Sequence, residues 1–381
     1  MKVSRCDAYN GRLAAIFIFG ILTLWAPARW PLAVFQIALF AFAGVELFRY
    51  REMKWHPAAI ALAAAAGWGL FQIAAHTTIY PWRTWDAVLV WITNLTAFCI
   101  ALRRGREGFL PAMLGFAFIL SIVAMLTLLT SPPDKVFWIF DAEMDPHPTL
   151  GPFVYRNQYA AFVEAVLPLA IVRAIHDRKR SVLYIVIAST LFASVVAGGS
   201  RMGSALCLAT ILVTPMAAFT RGLISGRTLA RVLAGSIASV TVLTTVVGWE
   251  ATWNRLQEPN PYSLRADLVR SSIEMVRDRP IMGFGLGTWS DAYPAYARFD
   301  DGRFVNQAHN DWIQWAAEGG APFFCIMLFI AVWTVRPATR SLWGIGMLAV
   351  FVHCLIDYPM QQRPQLAAFF FAMLGCIAAR K

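Results

Sequence analysis

The sequence predicts an all-α, polytopic membrane protein of about twelve transmembrane helices with one long loop, and three observations carry that expectation. The chain of 381 residues is 58% hydrophobic and only 14% charged, whereas about a quarter of the residues in an ordinary soluble domain are charged. Its apolar residues gather in runs close to the roughly 20 residues that cross a bilayer as a helix. Its basic residues cluster in alternate breaks between those runs, as the positive-inside rule requires. Together these describe a single integral-membrane domain over residues 1–381, with the lipid bilayer as its partner. The net charge of +11 belongs to that topology, and no nucleic-acid partner is expected.

The apolar runs, in order, are 13–28, 31–48, 56–76, 85–102, 108–130, 157–175, 181–199, 202–220, 229–249, 319–335, 341–357 and 364–379. The first resembles a signal peptide in its basic start and apolar stretch, but so many runs follow that it reads as an uncleaved span. With the N-terminus inside, the inner breaks hold Lys2, Arg5 and Arg12, then Arg49, Arg51 and Lys54, then Arg103, Arg104 and Arg106. They continue with Arg173, Arg178, Lys179 and Arg180, with Arg221, Arg227 and Arg231, with Arg336 and Arg340, and end at Arg380 and Lys381. The short outer loops carry few basic residues, so both termini are expected in the cytoplasm. Two outer segments exceed simple turns: the Pro-rich 131–156 and the long 250–308. Ordered loops of such length are usually functional.

Cys6, Cys99, Cys207, Cys325, Cys354 and Cys376 show no C-x-x-C or Cys/His ligand spacing, so neither a disulfide nor a metal site is expected. Within 250–308, Ser263 opens an amphipathic helix running to about Arg279, where Pro280 stops it. Leu264, Leu268 and Met275 form one apolar stripe, and Val269, Ile273 and Val276 another, suited to lying on a membrane surface. Its arginines (Arg265, Arg270, Arg277 and Arg279) either face headgroups and solvent or bind an anionic substrate. Gly283, Gly285 and Gly287 are spaced G-x-G-x-G, which fits a tight turn better than a phosphate cradle. Arg201, in "AGGSRMGS", breaks two apolar runs, where an arginine either snorkels to the interface or meets an anion. Arg83 in "YPWRTW" and Arg156 in "VYRNQY" are weaker cases of the same kind. Glu164 falls inside the sixth run and needs a partner there. His353 and Asp357 are four apart and read as a structural pair sharing a helix face. In "NQAHNDWIQWAAEGG" (306–320), Asn310 and Asp311 suit a helix cap, while His309 has the side chain able to accept a proton near neutral pH.

The stretches "HNDWIQWAAEGG" and "RDRPIMGFGLGTW", together with the upstream "GPFVYRNQYAAFVEAVLPLA" and "GGSRMGS", resemble the O-antigen ligase/polymerase superfamily over roughly residues 150–380. That resemblance implies a membrane glycosyltransferase type C-like fold in the bacterial inner (cytoplasmic) membrane, with a periplasmic active site and no metal or other cofactor. It implies a donor glycan on undecaprenyl diphosphate and an acceptor hydroxyl, on a lipopolysaccharide core sugar or another glycan. By position, His309, Arg201 and Arg265 correspond to the family's catalytic residues. Arg83, Arg156, Arg279, Asn310 and Asp311 are then expected around the substrate. A ligase and a polymerase share this donor, so both remain open, as does transfer to protein hydroxyls. A solute transporter is disfavoured because the polar candidates cluster at one face rather than at the membrane midplane.

Overall fold

A computed structural model of the protein describes residues 5–49, 56–104, 108–141, 149–250, 253–254, 257, 263–299, 302 and 304–379. Lys2, Arg51, Lys54, Arg106, Arg380 and Lys381, which contribute to the charge pattern above, lie outside the described residues. The elements in order are α1 (Arg5–Leu22), α2 (Trp30–Arg49), α3 (Pro57–Ala74), α4 (Pro81–Arg104), α5 (Phe109–Thr130), β1 (Lys135–Val136) and β2 (Phe140–Asp141). There follow α6 (Arg156–His176), α7 (Ser181–Ala197), α8 (Arg201–Thr220), α9 (Gly226–Val247), α10 (Ser263–Asp278) and α11 (Trp289–Ala292). The last three are α12 (Asp311–Ser341), α13 (Ile345–His353) and α14 (Pro364–Ala378).

Among the described residues, nine helices are long and apolar enough to cross a membrane, and two shorter apolar helices cover Gly11–Leu22 and Pro364–Ala378. The expected eleventh span, 341–357, is different. Its helix, α13, has nine residues, a rise of about 14 Å, which cannot cross a hydrocarbon core of about 30 Å. After His353 the run leaves the helix for the turn 354–363, which carries part of the candidate site. The expected tenth span, 319–335, starts earlier than its apolar residues suggest. Here α12 begins at Asp311, capped by Asn310, whose Oδ1 accepts from the Ile313 amide at 3.1 Å.

Burial sorts the helices by position. Most side chains of α6 and α7 and nearly all those of α14 are buried, so these stand at the centre. By contrast, α9 buries only Val232 and Ser236, and its exposed Ile237, Val242 and Val246 are suited to lipid. The core is aromatic at its heart: Phe17 meets Phe35, Phe109 and Phe369 edge-on at centroid distances of 5.4–6.3 Å, the geometry ring quadrupoles favour. Small residues permit the closest approaches between helices. A Cβ on Gly346 of α13 would lie 2.2 Å from the Glu164 carbonyl oxygen of α6, so these two backbones touch.

The amphipathic helix expected after Ser263 is α10, but it does not lie alone on a surface. Its Leu268 and Met275 pack with Phe284, Trp289, Tyr293, Ala308 and Ala317 in a second, smaller core capping one end of the bundle. Leu264 and Ile273 remain exposed. The only strands among the described residues form a two-stranded hairpin within 131–156.

Candidate functional site

The start of α10, the loop at His309, the start of α6 and the turn after α13 converge on Asp357, which is 1% exposed. Asp357 Oδ2 accepts hydrogen bonds from Arg265 Nη2 at 2.9 Å, from Tyr155 Oη at 3.0 Å and from Asn157 Nδ2. The backbone amide of Tyr358 donates to Oδ1 at 2.9 Å. A second guanidinium nitrogen of Arg265, Nη1, donates to the Ile356 carbonyl at 3.0 Å. The arginine is thereby clamped by a carboxylate and a backbone carbonyl of one turn, an arrangement its rigid fork suits. The ion pair is deeply set on the carboxylate side (1% exposed) and partly open on the arginine side (25%).

His309 sits beside this pair. Its Nδ1 is 3.8 Å from Asp357 Oδ1, too far for a hydrogen bond. The imidazole packs edge-on to Tyr358 at 4.7 Å and faces Tyr155 at 6.3 Å, while Tyr155 and Tyr358 stack on each other at 5.1 Å. The residue holds φ at +52°, a left-handed conformation uncommon outside glycine. Burial pushes the imidazole pKa down to about 4, the nearby Asp357 charge opposing this and Arg265 adding to it. His309 is therefore neutral near pH 7. Burial and the Asp357 charge hold the Tyr155 phenol well above its ordinary range, so it remains a hydrogen-bond donor.

Asn157 links this cluster to Arg201. Its Oδ1 accepts from Ser200 Oγ at 2.7 Å, and Ser200 caps α8 through the Gly203 amide at 3.3 Å. Arg201 is the first residue of that helix, so its place follows from the cap. Arg156 opens α6 directly between Tyr155 and Asn157 and is exposed. Asn310 donates through Nδ2 to the Leu355 carbonyl at 2.6 Å. Asp311 is fully buried; its amide donates to the Cys354 and Asp357 carbonyls, and its Oδ2 accepts from the Met360 amide at 3.0 Å. Asn310 and Asp311 thus splice the start of α12 to the turn that carries Asp357.

Arg83 and Arg279 are not among the groups gathered on Asp357. Arg83 Nε lies 3.7 Å from Asp291 Oδ2, with both side chains substantially exposed. Arg279 donates to the Thr77 carbonyl at 3.1 Å and stands over the Phe284 ring at 4.6 Å. Both brace the glycine-rich segment, whose amides are fully engaged by the chain itself. Gly283 donates to the Arg279 carbonyl, Phe284 to Ala317, Gly285 to Glu318 and Thr288 to Gly285. Leu286 donates to Gln72 Oε1, while Gly287 and Trp289 donate to the two carboxylate oxygens of Glu318. No amide from 283 to 289 is left for a phosphate, so the segment is a turn buckled onto α12. The fit depends on α12 breaking at Gly320, where φ is +65° and a Cβ would lie 2.0 Å from the Ile281 carbonyl oxygen.

His353 and Asp357 do not pair side chain to side chain. His353 Nδ1 meets Glu164 Oε1 at 2.7 Å, both fully buried, while Asp357 turns to Arg265. The helix ends at His353, so the fourth residue onward leaves the shared face. Tyr155, Asn157 and Tyr358 escaped sequence reasoning. Their only trace was their place beside Arg156 and Asp357, and nothing local says that these loops meet. The described cysteines, Cys99, Cys207, Cys325, Cys354 and Cys376, are free thiols.

Residues 184–328 match the family model described as O-antigen ligase, in agreement with the resemblance carried by the motifs. The matched segment includes Arg201, Arg265, Arg279, His309, Asn310 and Asp311, and ends before Asp357. None of the curated proteins matches the chain.

Proposed function

We propose that this chain, whose residues 184–328 match the O-antigen ligase family model, belongs to the O-antigen ligase/polymerase superfamily and moves a glycan from undecaprenyl diphosphate to an acceptor hydroxyl at the periplasmic face of the bacterial inner membrane. The observation that carries the reading is the convergence of Arg265 and His309 on Asp357, 2.9 Å and 3.8 Å away, beside the capped start of the helix that Arg201 opens. A guanidinium beside a neutral imidazole, with a second arginine at the adjoining helix start, suits an anionic leaving group next to an incoming alcohol.

In this mechanism Arg265 and Arg201 bind the diphosphate and stabilise its growing charge as the bond between the anomeric carbon and the phosphate oxygen breaks. The acceptor oxygen forms its bond to that carbon from the opposite face, inverting it. His309 accepts a hydrogen bond from the acceptor hydroxyl and takes its proton as the new bond forms. Its Nδ1 faces Asp357, which leaves Nε2 for the hydroxyl and lets Asp357 offset the charge of the transient imidazolium. A base with a pKa of about 4 is weak at rest, so the proton moves late, once the attacking oxygen has become acidic. No metal takes part in these steps. Asn310 and Asp311 hold the loop that presents His309, and Arg156 lines the approach.

The acceptor is a lipopolysaccharide core sugar on this reading. The same machinery serves a polymerase if the acceptor is another lipid-linked glycan, since both reactions break the same bond. The deciding experiment incubates purified protein with an undecaprenyl-diphosphate glycan, with and without a core acceptor. Transfer to the core alone is expected; chain lengthening without core would reassign it as a polymerase. Undiminished turnover by His309→Ala protein would sink the mechanism for either acceptor.

A further inference from the structure

At the other end of α12 lies a cavity that the proposed transfer does not use. It has a volume of about 610 Å³, within the roughly 300–1,000 Å³ of small-molecule sites. It is lined by Arg336, Arg340 and His56 and by the apolar Val332, Trp333 and Ile377. Arg336 and Arg340 are four residues apart, hence neighbours on one helix face. Both are exposed, and among the described residues no acidic side chain lines the cavity and neither guanidinium forms an ion pair. Two like charges at this spacing repel one another unless an anion lies between them. The C-terminal position on α12 favours cations through the helix dipole, but it does not account for an adjoining apolar wall. Across Ser341 a second cavity, of about 530 Å³, likewise combines Arg173 and His176 with Leu114 and Leu169, with no carboxylate lining it among the described residues.

The position defines the environment. Beyond the break at Gly320, α12 continues to Ser341, a rise of about 31 Å that passes a hydrocarbon core of about 30 Å. With the His309 cluster at one end, the Arg336–Arg340 cavity stands at headgroup depth at the other. Trp333 meets His56 edge-on at 4.9 Å, an amphipathic pairing typical of that depth.

We propose that this cavity binds an anionic phospholipid, its headgroup phosphate held between Arg336 and Arg340 and the start of an acyl chain laid along Val332, Trp333 and Ile377. A free phosphate would satisfy the arginines but not the apolar wall. The inference is independent of the transfer reaction proposed above.

Native mass spectrometry of the full-length protein tests it, with phosphatidylglycerol and phosphatidylcholine offered separately. Phosphatidylglycerol is expected to stay bound and phosphatidylcholine to be lost. In Arg336→Gln/Arg340→Gln protein, phosphatidylglycerol retention is expected to fall about 30-fold, at ~1 kcal/mol for each basic residue facing an anionic lipid. The Arg340→Gln single variant, which disturbs the fold less, is expected to lose about fivefold. Arg178→Gln/Arg180→Gln protein, altered in the adjoining basic segment outside both cavities, is expected to retain the lipid. Equal retention by the double cavity variant, or an equal loss in the Arg178/Arg180 control, would overturn the site. Stripping of the lipid by millimolar inorganic phosphate would assign the arginines to a free phosphate and overturn the lipid.

Discussion

At His309 the backbone and the solvent environment act on one side chain. A φ of +52° costs about 1–3 kcal/mol in a residue other than glycine, and the loop holds it because Asn310 and Asp311 are tied to the turn 354–360. The same enclosure lowers the imidazole pKa to about 4, so the neutral form needed to accept a proton persists well below the ordinary value of about 6.5. The acid limb of transfer is therefore expected near pH 4 rather than pH 6.5, as read from initial rates on protein that remains folded. Stability follows the same sign. The unfolded chain takes up this proton below about pH 6.5, so the contribution tied to neutral His309 is full above that value and lost as pH falls through about 4. His309→Ala is expected to lower transfer by about 10²–10⁴-fold, the usual worth of acid–base assistance. Asp357→Ala removes the common acceptor of Arg265, Tyr155 and Asn157. It is expected to cost about 100-fold in transfer, the effect of misplacing a reacting group by roughly 1 Å, measured with the melting temperature recorded alongside.

At the scale of elements, the buckle between 279–291 and α12 sets where the His309 loop begins and ends. Glu318 carries much of that joint, accepting the amides of Gly287 and Trp289 on its carboxylate and that of Gly285 on its carbonyl. Glu318→Gln turns an NH₂ toward one of those amides and strands it. A loss of about 1–3 kcal/mol is expected, visible as a lower thermal midpoint. Gly320→Ala is expected to be more damaging, because it adds the strain of a positive φ to a clash with the Ile281 carbonyl. Its readout is loss of the folded species on size exclusion together with loss of transfer. The "GFGLG" turn was legible from its glycines. What it turns around was not, because Glu318 and Gln72 lie far away in the chain and reach it only when α3 and α12 pack side by side.

For the whole molecule, the charge pattern and the apolar runs together predict a sidedness. Single cysteines placed in the 131–156 segment and in the 221–225 break, on a cysteine-free background, are expected to label from opposite faces of intact cells with a membrane-impermeant thiol reagent. Labelling from the same face would invert or break the proposed topology and remove the periplasmic placement of His309.

Composition and run length by themselves determined that the chain is a helical membrane protein, because continuous apolar runs of about 20 residues fit a spanning helix and not the shorter, alternating strands of a closed barrel. Local chemistry likewise marked the Asn310 cap, the Pro280 stop, the glycine turn and His309 as a candidate, while the family resemblance singled out Arg265. Only the tertiary structure decided that α13 stops short of a span, that Asp357 joins Arg265 instead of His353, and that Arg83 and Arg279 brace the buckle. Those outcomes turn on contacts between segments as much as about 200 residues apart, and a buried carboxylate takes whichever donors the packed helices bring to it.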